Sequence, residues 1–347
     1  MKKNTSVWVH IVSWNSAESI EQCIQRASEQ EGYRLGDNLR IHITDNASTD
    51  STSHIVSNRL IEGVSLSTNA TNLGFSGAHN QGVKLFLQSG FDVMLVLNPD
   101  VGLCPTTIST MVRCLSVQRR VGLVTPKLIR ALPSLEPIYP HVLDACGMEL
   151  TRACRHFDRG SGAWDNGQFE EGTCVFGATG ACMMISRECI NEIALPDALP
   201  NEALYNIYPQ LQDHSKERVQ LFDEAFFAYR EDADLSWRAR TLGWNCWYEP
   251  TALAHHVRVV VPERRNSLPP EINMYGVRNR FLLQMNNWRF KDGLWMFFWG
   301  IIVRNSIVIG AVLLQERSSI VGLQHTKRLF RRSMSIRRWI TEQMLKR

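Results

Sequence analysis

The stretch VMLVLNPD, Val93–Asp100, decides how the N-terminal part of the chain is built. Val93–Leu97 is apolar without a break, as a parallel strand covered on both faces must be. Asn98-Pro99-Asp100 then ends it with turn chemistry and a carboxylate. Working outward, Val7–Val12 and Leu39–Thr44 read as strands and Val64–Ser67 as a short third one. Glu18–Glu29, about 51–60, and a segment near His79–Gln88 after a glycine-bearing loop at Asn72–Gly77 read as helices. Strand and helix alternate through residues 1–125, which predicts an α/β fold with a mostly parallel sheet and helices on both faces. Ligands of such sheets bind beyond the carboxyl ends of the strands. The polar clusters Ser13–Ser16, Asp45–Asp50, Asn72–Gly77 and Asn98–Asp100 all fall there.

Residues 126–180 are rich in Pro, Gly and charge and predict irregular structure with short strands, until Gly177–Ile185 turns into a buried strand. Pro196–Gln220 reads as a surface excursion. The net charge of +4 over 347 residues is too small to argue for nucleic acid. Its distribution is uneven, because residues 317–347 carry Arg317, Lys327, Arg328, Arg331, Arg332, Arg337, Arg338, Lys346 and Arg347 against Glu342 alone. The nine cysteines form no C-x-x-C pair, which argues against zinc and for reduced thiols in a cytoplasmic setting. Leu294–Leu314 has the length of a membrane span, but Arg304 and Asn305 sit in its middle. With Trp288, Trp295, Trp299 and the basic tail, three readings stand. The first is a span; the second, favoured over it, is peripheral attachment to an anionic inner leaflet of the plasma membrane; the third is a helical cap with a solvated basic tail.

Several clusters carry chemistry. In DNASTD, Asp45–Asp50, the residue types suit helix capping, yet one cap needs only one of them. A carboxylate at that strand end can also accept from a nucleobase or ribose. The loop Asn72–Gly77 can bring backbone N–H groups to phosphate or form a simple turn, and it is neither a Walker A loop nor G-x-G-x-x-G. Asp100 is poorly placed for packing and well placed for a divalent cation, which takes one or two carboxylates plus phosphate oxygens. His255-His256 follows the strand-like run Trp247–Glu249 and is either structural or part of a metal set. In FDEAFFAYREDADLSWRARTLGW, Phe222–Trp244, a helix is expected over Glu231–Leu242, with Leu235, Ala239 and Leu242 on one face and Gly243 ending it. Asp234 and Arg238 are spaced to bridge. Glu231 and Asp232 lie where the helix dipole favours negative charge and should depress a carboxylate pKa.

Taken in order, VSWNS, DNASTD, NLGFSGAHNQG, LVLNPDV, GATGACMMISR and FFAYREDADLSWRARTLGW resemble the family-2 inverting glycosyltransferases of GT-A fold, and among them the bacterial rhamnosyltransferase-like group. The likeness runs from about Val7 to His256, with an echo in YGVRNR, Tyr275–Arg280. It implies a Rossmann-like GT-A domain over residues 1–265, with a nucleotide-sugar-binding half, 1–125, and an acceptor and catalytic half, 126–265. Residues 266–347 would form a C-terminal helical, basic extension. The resemblance implies that Ser13, Asn15 and Asp45 line the base pocket and that Asn72, Gly74 and Asn98 lie near the donor. Asp100 and His255 would hold Mg²⁺ or Mn²⁺. Asp232 would be the general base with Glu231 auxiliary, on a helix supported by Trp237 and Arg238. The reaction implied moves rhamnose or a hexose from dTDP-rhamnose or a UDP-hexose to a glycan or lipid-linked acceptor in bacterial surface polysaccharide synthesis. Asn98 stands where the metal motif of the family has its first Asp, and residues 197–220 look inserted. The alternatives are a sugar-phosphate nucleotidyltransferase, which would release pyrophosphate, and a non-catalytic nucleotide-sugar-binding module.

Overall fold

The protein is described by a computed structural model covering residues 5–117, 120–212, 219–258 and 268–347. Its first half follows the expected alternation: β1 (Val7–Ser13), α1 (Ile20–Ser28), β2 (Leu39–Asp45), α2 (Thr52–Ser57), β3 (Val64–Thr68), α3 (Gly74–Ser89) and β4 (Val93–Leu97). The strands β3-β2-β1-β4 lie side by side and all parallel. Side chains alternate across this sheet because the strand period is two. Val9, Ile11, Leu95 and Leu97 therefore pack in one layer with Ile20 and Ile24 of α1, while Trp8, Met94 and Val96 pack in the other with Val83 and Phe86 of α3. Two helix limits depart from expectation. α2 is shorter than 51–60, and α3 begins at Gly74, so most of the expected glycine loop is already helix.

The sheet then becomes mixed. β5 (Val101–Leu103) and α4 (Thr107–Val117) lead to β6 (Val121–Arg130), a ten-residue strand that is buried nearly throughout and runs into the segment expected to be irregular. The short strands β7 (Leu143–Ala145), β8 (Met148–Leu150), β9 (His156–Asp158) and β10 (Thr173–Val175) fill the rest of that segment. β11 (Cys182–Ser186) inserts antiparallel between β4 and β6, and β12 (Asn245–His256) runs parallel to β6. The strand expected at Trp247–Glu249 is thus the middle of a twelve-residue element. The order is β10-β12-β6-β11-β4-β1-β2-β3, with β5 on β12 and β7 on β6.

The remaining helices are α5 (Arg187–Ile193), α6 (Glu202–Ile207), α7 (Glu231–Thr241), α8 (Pro270–Asn287), α9 (Arg304–Leu314) and α10 (Ile320–Leu345). The described part of Pro196–Gln220 is not a surface excursion: Leu204, Tyr208 and Leu211 are buried, and Asn201 accepts from Arg332 of α10 at 2.8 Å. The boundary placed at 265/266 lies outside the described residues. All nine cysteines are free thiols.

Candidate active site

The nucleotide side of the site follows from strand register. β1 and β2 end level, Ser13 opposite Asp45. Ser13 Oγ donates to Asp45 Oδ1 at 3.1 Å, Ser48 Oγ donates to the same oxygen at 2.6 Å, and the Ser48 N–H reaches Oδ2 at 3.2 Å. Asn15, at φ +50°, donates its N–H to Ser48 Oγ (2.9 Å) and accepts from the Thr49 N–H (2.8 Å). Asp50 accepts from the N–H groups of Thr52 (3.0 Å) and Ala17 (3.2 Å). The polar cluster therefore braces two strand-end loops into one rim, a task beyond the capping of α2. Asn46, which the sequence reading passed over, fixes the next loop. Its side chain donates to Asn72 Oδ1 (2.9 Å) and the Gly74 carbonyl (3.2 Å), and accepts from the Leu73 N–H (3.0 Å).

That bonding corrects the phosphate reading of Asn72–Gly77. The Gly74 N–H is taken by Asn72 Oδ1 at 2.8 Å and the Ser76 N–H by the Phe227 carbonyl at 3.2 Å. The loop docks the chain that leads into α7. Gly74 is required there, because it holds φ +72° and a Cβ would lie 2.4 Å from the Phe227 oxygen.

The metal side is set by β5 and β12, whose antiparallel pairing places Val101 opposite His256. Asp100 precedes Val101, so its carboxylate meets the end of β12. The ring that meets it is His256, with Nε2 3.5 Å from Asp100 Oδ1. His255 points to the other face of the strand, its Nδ1 3.1 Å from the Leu135 carbonyl and 3.4 Å from Arg26. Of the two histidines it is thus His256, and not the His255 expected to join Asp100, that faces the carboxylate. Alternation carried the signal, since Ala252, Ala254 and His256 share the buried phase of β12. His256 Nδ1 lies 2.7 Å from Asp144 Oδ2, a residue the sequence reading missed. Burial alone would lower the pKa of His256; Asp100 and Asp144 outweigh it and push the ring up to about 10. Asp144 in turn meets Arg258 at 3.1 Å, and Arg258 meets Asp158 at 2.7 Å.

The groups present fit a divalent cation. Asp100 Oδ1 is buried with no hydrogen-bond partner among the described residues. His256 faces it, backed through its other nitrogen by a carboxylate, the usual support of a ligating histidine. Among the described residues no group of three or more His, Cys, Asp or Glu side chains is placed to hold a metal. Phosphate oxygens of a ligand would have to complete the coordination, as hard divalent cations commonly require. Asn98 contributes its backbone: its N–H donates to the Ala181 carbonyl at 2.9 Å.

The base side begins at that same turn. The Gly180 N–H donates to Asp232 Oδ2 at 3.0 Å, and the Ala178 N–H to Ser236 Oγ at 3.3 Å. α7 approaches so closely that a Cβ on Gly177 would overlap Ser236. Asp232 and Glu231 open α7, reached through Phe227, Tyr229 and Arg230, all at positive φ. This left-handed run is held from outside by α8. Asn279 donates to the carbonyls of Phe226, Ala228 and Tyr229 at 2.9, 2.8 and 2.7 Å, and Arg278 to Phe226 at 2.6 Å. The YGVRNR segment is therefore the clamp on the loop that delivers the acids. Asp234 pairs with the fully buried Arg238 at 2.8 Å, as the spacing predicted, and also accepts from Asn286 and Asn287. Trp237 is buried against Phe176.

Both opening acids have their pKa raised, against the expectation from the helix dipole. Burial raises Asp232, with Asp158 adding to it and the Gly180 N–H opposing. Burial and the charge of Asp232 push Glu231 well up, and its Oε2 has no hydrogen-bond partner among the described residues. Desolvation outweighs the dipole here.

No curated protein matches the sequence at a significant level. Among solved structures, similar ones include GalNAc-T7 with UDP, GalNAc and Mn²⁺, with a TM-score of 0.61 and 11% identity over 100% of this chain and 57% of that one. This chain thus spans little more than half the length of that protein. The mannosyltransferase PcManGT from Pyrobaculum calidifontis with GDP-Man and Mn²⁺ gives 0.51 and 12% over 99% and 87% of the two chains. S. aureus TarS 1-349 gives 0.51 and 14% over 99% and 88%. These identities show a shared GT-A-like fold. The sequence itself matches the glycosyl transferase family 2 over residues 8–193, more than half its length, and the chain belongs to that family.

Proposed function

We propose that this glycosyltransferase moves a sugar, rhamnose or a hexose, from a nucleoside diphosphate donor to a hydroxyl of a glycan or lipid-linked acceptor, with inversion, in bacterial surface polysaccharide synthesis. One observation carries the reading. The turn Gly177–Gly180 and its neighbour Ala181 hold Asp232 on one side and the Asn98-Pro99-Asp100 turn on the other through two backbone hydrogen bonds. A base and a diphosphate-binding carboxylate fixed to opposite sides of one rigid turn suit a single in-line displacement. The nucleobase of the donor would lie on the rim of Ser13, Asn15 and Asp45, with Asn72 and Gly74 bordering the donor.

Asp100 and His256 would hold Mg²⁺ or Mn²⁺, which when bound offsets charge on the leaving diphosphate. Asp232 takes the acceptor hydroxyl proton as that oxygen attacks the anomeric carbon. Glu231, its pKa raised by burial and by Asp232, would orient an acceptor hydroxyl. Support for a nucleotide-sugar donor comes from the UDP and GDP-Man in the similar structures.

The test is a binding screen of dTDP-rhamnose and UDP-hexoses with and without Mg²⁺ or Mn²⁺, followed by transfer with Asp232→Asn. The expected result is metal-dependent binding of one donor, retained in the variant, with transfer reduced by roughly 10²–10⁴. Full transfer by the variant would overturn the role of Asp232, and pyrophosphate release from a nucleoside triphosphate would overturn the reaction class.

A further inference from the structure

The segment Met296–Leu314 is built inside out. It is one helical rod, a π-helical stretch at Met296–Val303 continuing into α9, with mean hydropathy 2.0 and only 17% of its most apolar window buried. Asn305 and Gly300 are set against the protein. Asn305 accepts from Arg280 at 2.8 Å and donates to Gln284 at 2.6 Å, and Gly300 lies against Ala153 and Cys154, where a Cβ would come within 2.8 Å. Met296, Phe297, Ile301 and Val312 pack inward, and much of the remaining apolar surface faces out, with Trp295 just before it 62%, Ile307 65% and Leu314 82% exposed beside Phe298, Trp299 and Ile302. A helix at a water boundary has the opposite arrangement, and a continuous apolar patch of this kind marks an interaction surface.

Cations border the patch. Between α8, α9 and α10 lies a groove of ≈ 580 Å³ with Phe281, Ile309 and Phe330 in its wall and Lys327, Arg328 and Arg331 on its rim. No ion pair joins these three to an acid among the described residues. An apolar strip with a basic border complements an anionic bilayer, with acyl chains against the strip and phosphates at the border. A second copy fits badly, because a two-fold contact would set the same cations against themselves. A span fits badly too, because it would tear Asn305 from Arg280 and Gln284 and draw Arg304 into hydrocarbon.

We propose that the face formed by Met296–Leu314 and the Lys327–Arg331 side of α10 docks on an anionic phospholipid bilayer, the rod lying in the plane of the interface and the groove seating a lipid phosphate at its rim. Trp295 and Trp299 sit at headgroup depth, where such rings collect. The surface stands apart from the reading of the active site, and its test needs no catalysis.

The test is co-sedimentation of the full chain with phosphatidylcholine vesicles and with vesicles containing about one third phosphatidylglycerol, at low and high salt. Binding to the anionic vesicles alone, weakened by salt and accompanied by a blue shift of tryptophan emission, is expected. Lys327→Ala/Arg328→Ala/Arg331→Ala should weaken it about a hundredfold, near fivefold per charge. These side chains are exposed, so the thermal midpoint should stay unchanged. Phe298→Ser/Ile302→Ser should abolish the blue shift. Equal binding to both vesicle types, undiminished binding of the triple variant, a stable dimer that ignores vesicles, or resistance to alkaline carbonate extraction from native membranes would each overturn the proposal.

Discussion

Glu231 and Asp232 are neighbours in the chain whose surroundings separate their roles. Asp232 accepts two backbone N–H bonds, from Gly180 at 3.0 Å and Ala233 at 2.7 Å, which favour its ionised form, whereas Glu231 is desolvated with one oxygen unpartnered. Glu231→Gln, a neutral mimic of the protonated acid, should therefore keep kcat within about tenfold, against the far larger loss from Asp232→Asn. As the proposed base Asp232 must act unprotonated, and its pKa is raised, so the acidic limb of the kcat/KM–pH profile should sit above the ordinary carboxylate value near 3.9. A limb at or below that value would remove Asp232 as the base. At the end of β12 the paired histidines differ by the face they occupy. His256→Ala should weaken Mn²⁺-dependent donor binding by roughly 10–100-fold, and His255→Ala should leave it nearly unchanged. Isothermal titration with each variant separates the two positions.

The elements explain how a short acidic segment is presented at all. The run Phe227–Arg230 holds Phe227, Tyr229 and Arg230 at positive φ, which non-glycine residues avoid unless their surroundings impose it. Asn279 imposes it with one side-chain nitrogen shared among three carbonyls. Asn279→Ala should lower stability by about 1–3 kcal/mol and lower kcat more than it raises KM, as chemical denaturation and steady-state kinetics would show. Sequence reading found the first seven elements because β1–β4 alternate cleanly with helices and end in polar clusters. It found the Asp234–Arg238 bridge because helix spacing is fixed. It missed β6 because Pro126 and Lys127 mask a strand whose lysine is bridged to Asp165. It could not find the partnership of Asp144 with His256, which spans 112 residues and exists only through sheet pairing. For the same reason it paired Asp100 with His255, whereas the ring that faces Asp100 is His256. Period-two alternation over Ala252, Ala254 and His256 is visible only once the strand is known to be twelve residues long.

Across the whole molecule, two features govern robustness. His10, His42 and His79 form a buried cluster between the sheet and α3, with His10 Nδ1 2.9 Å from His79 Nδ1 and the rings of His10 and His42 stacked. Burial lowers all three, His42 to about 4 and His79 to about 3. The unfolded chain binds protons near pH 6.5 that the folded cluster refuses. The contribution of the cluster is thus complete above about pH 6.5 and is lost as pH falls towards 4, by about 1.4 kcal/mol per pH unit for each group in its window. His79→Leu should flatten that acid dependence in urea melts between those limits; an unchanged slope would mean the cluster does not titrate on unfolding. The second feature is the tie between distant parts of the chain. Asp223 and Asp234, on either side of the acid-bearing loop, are bonded by Asn286 and Asn287 of α8, and Asp223 also by Arg332 of α10. During synthesis the chain emerges from its N-terminus at a few residues per second. The parallel sheet can form early, whereas the tie from α10 to Asp223 is made only once Arg332 has left the ribosome. A nascent chain arrested before that point would hold the acid-bearing loop through α8 alone, so the order of translation completes the support of that loop last.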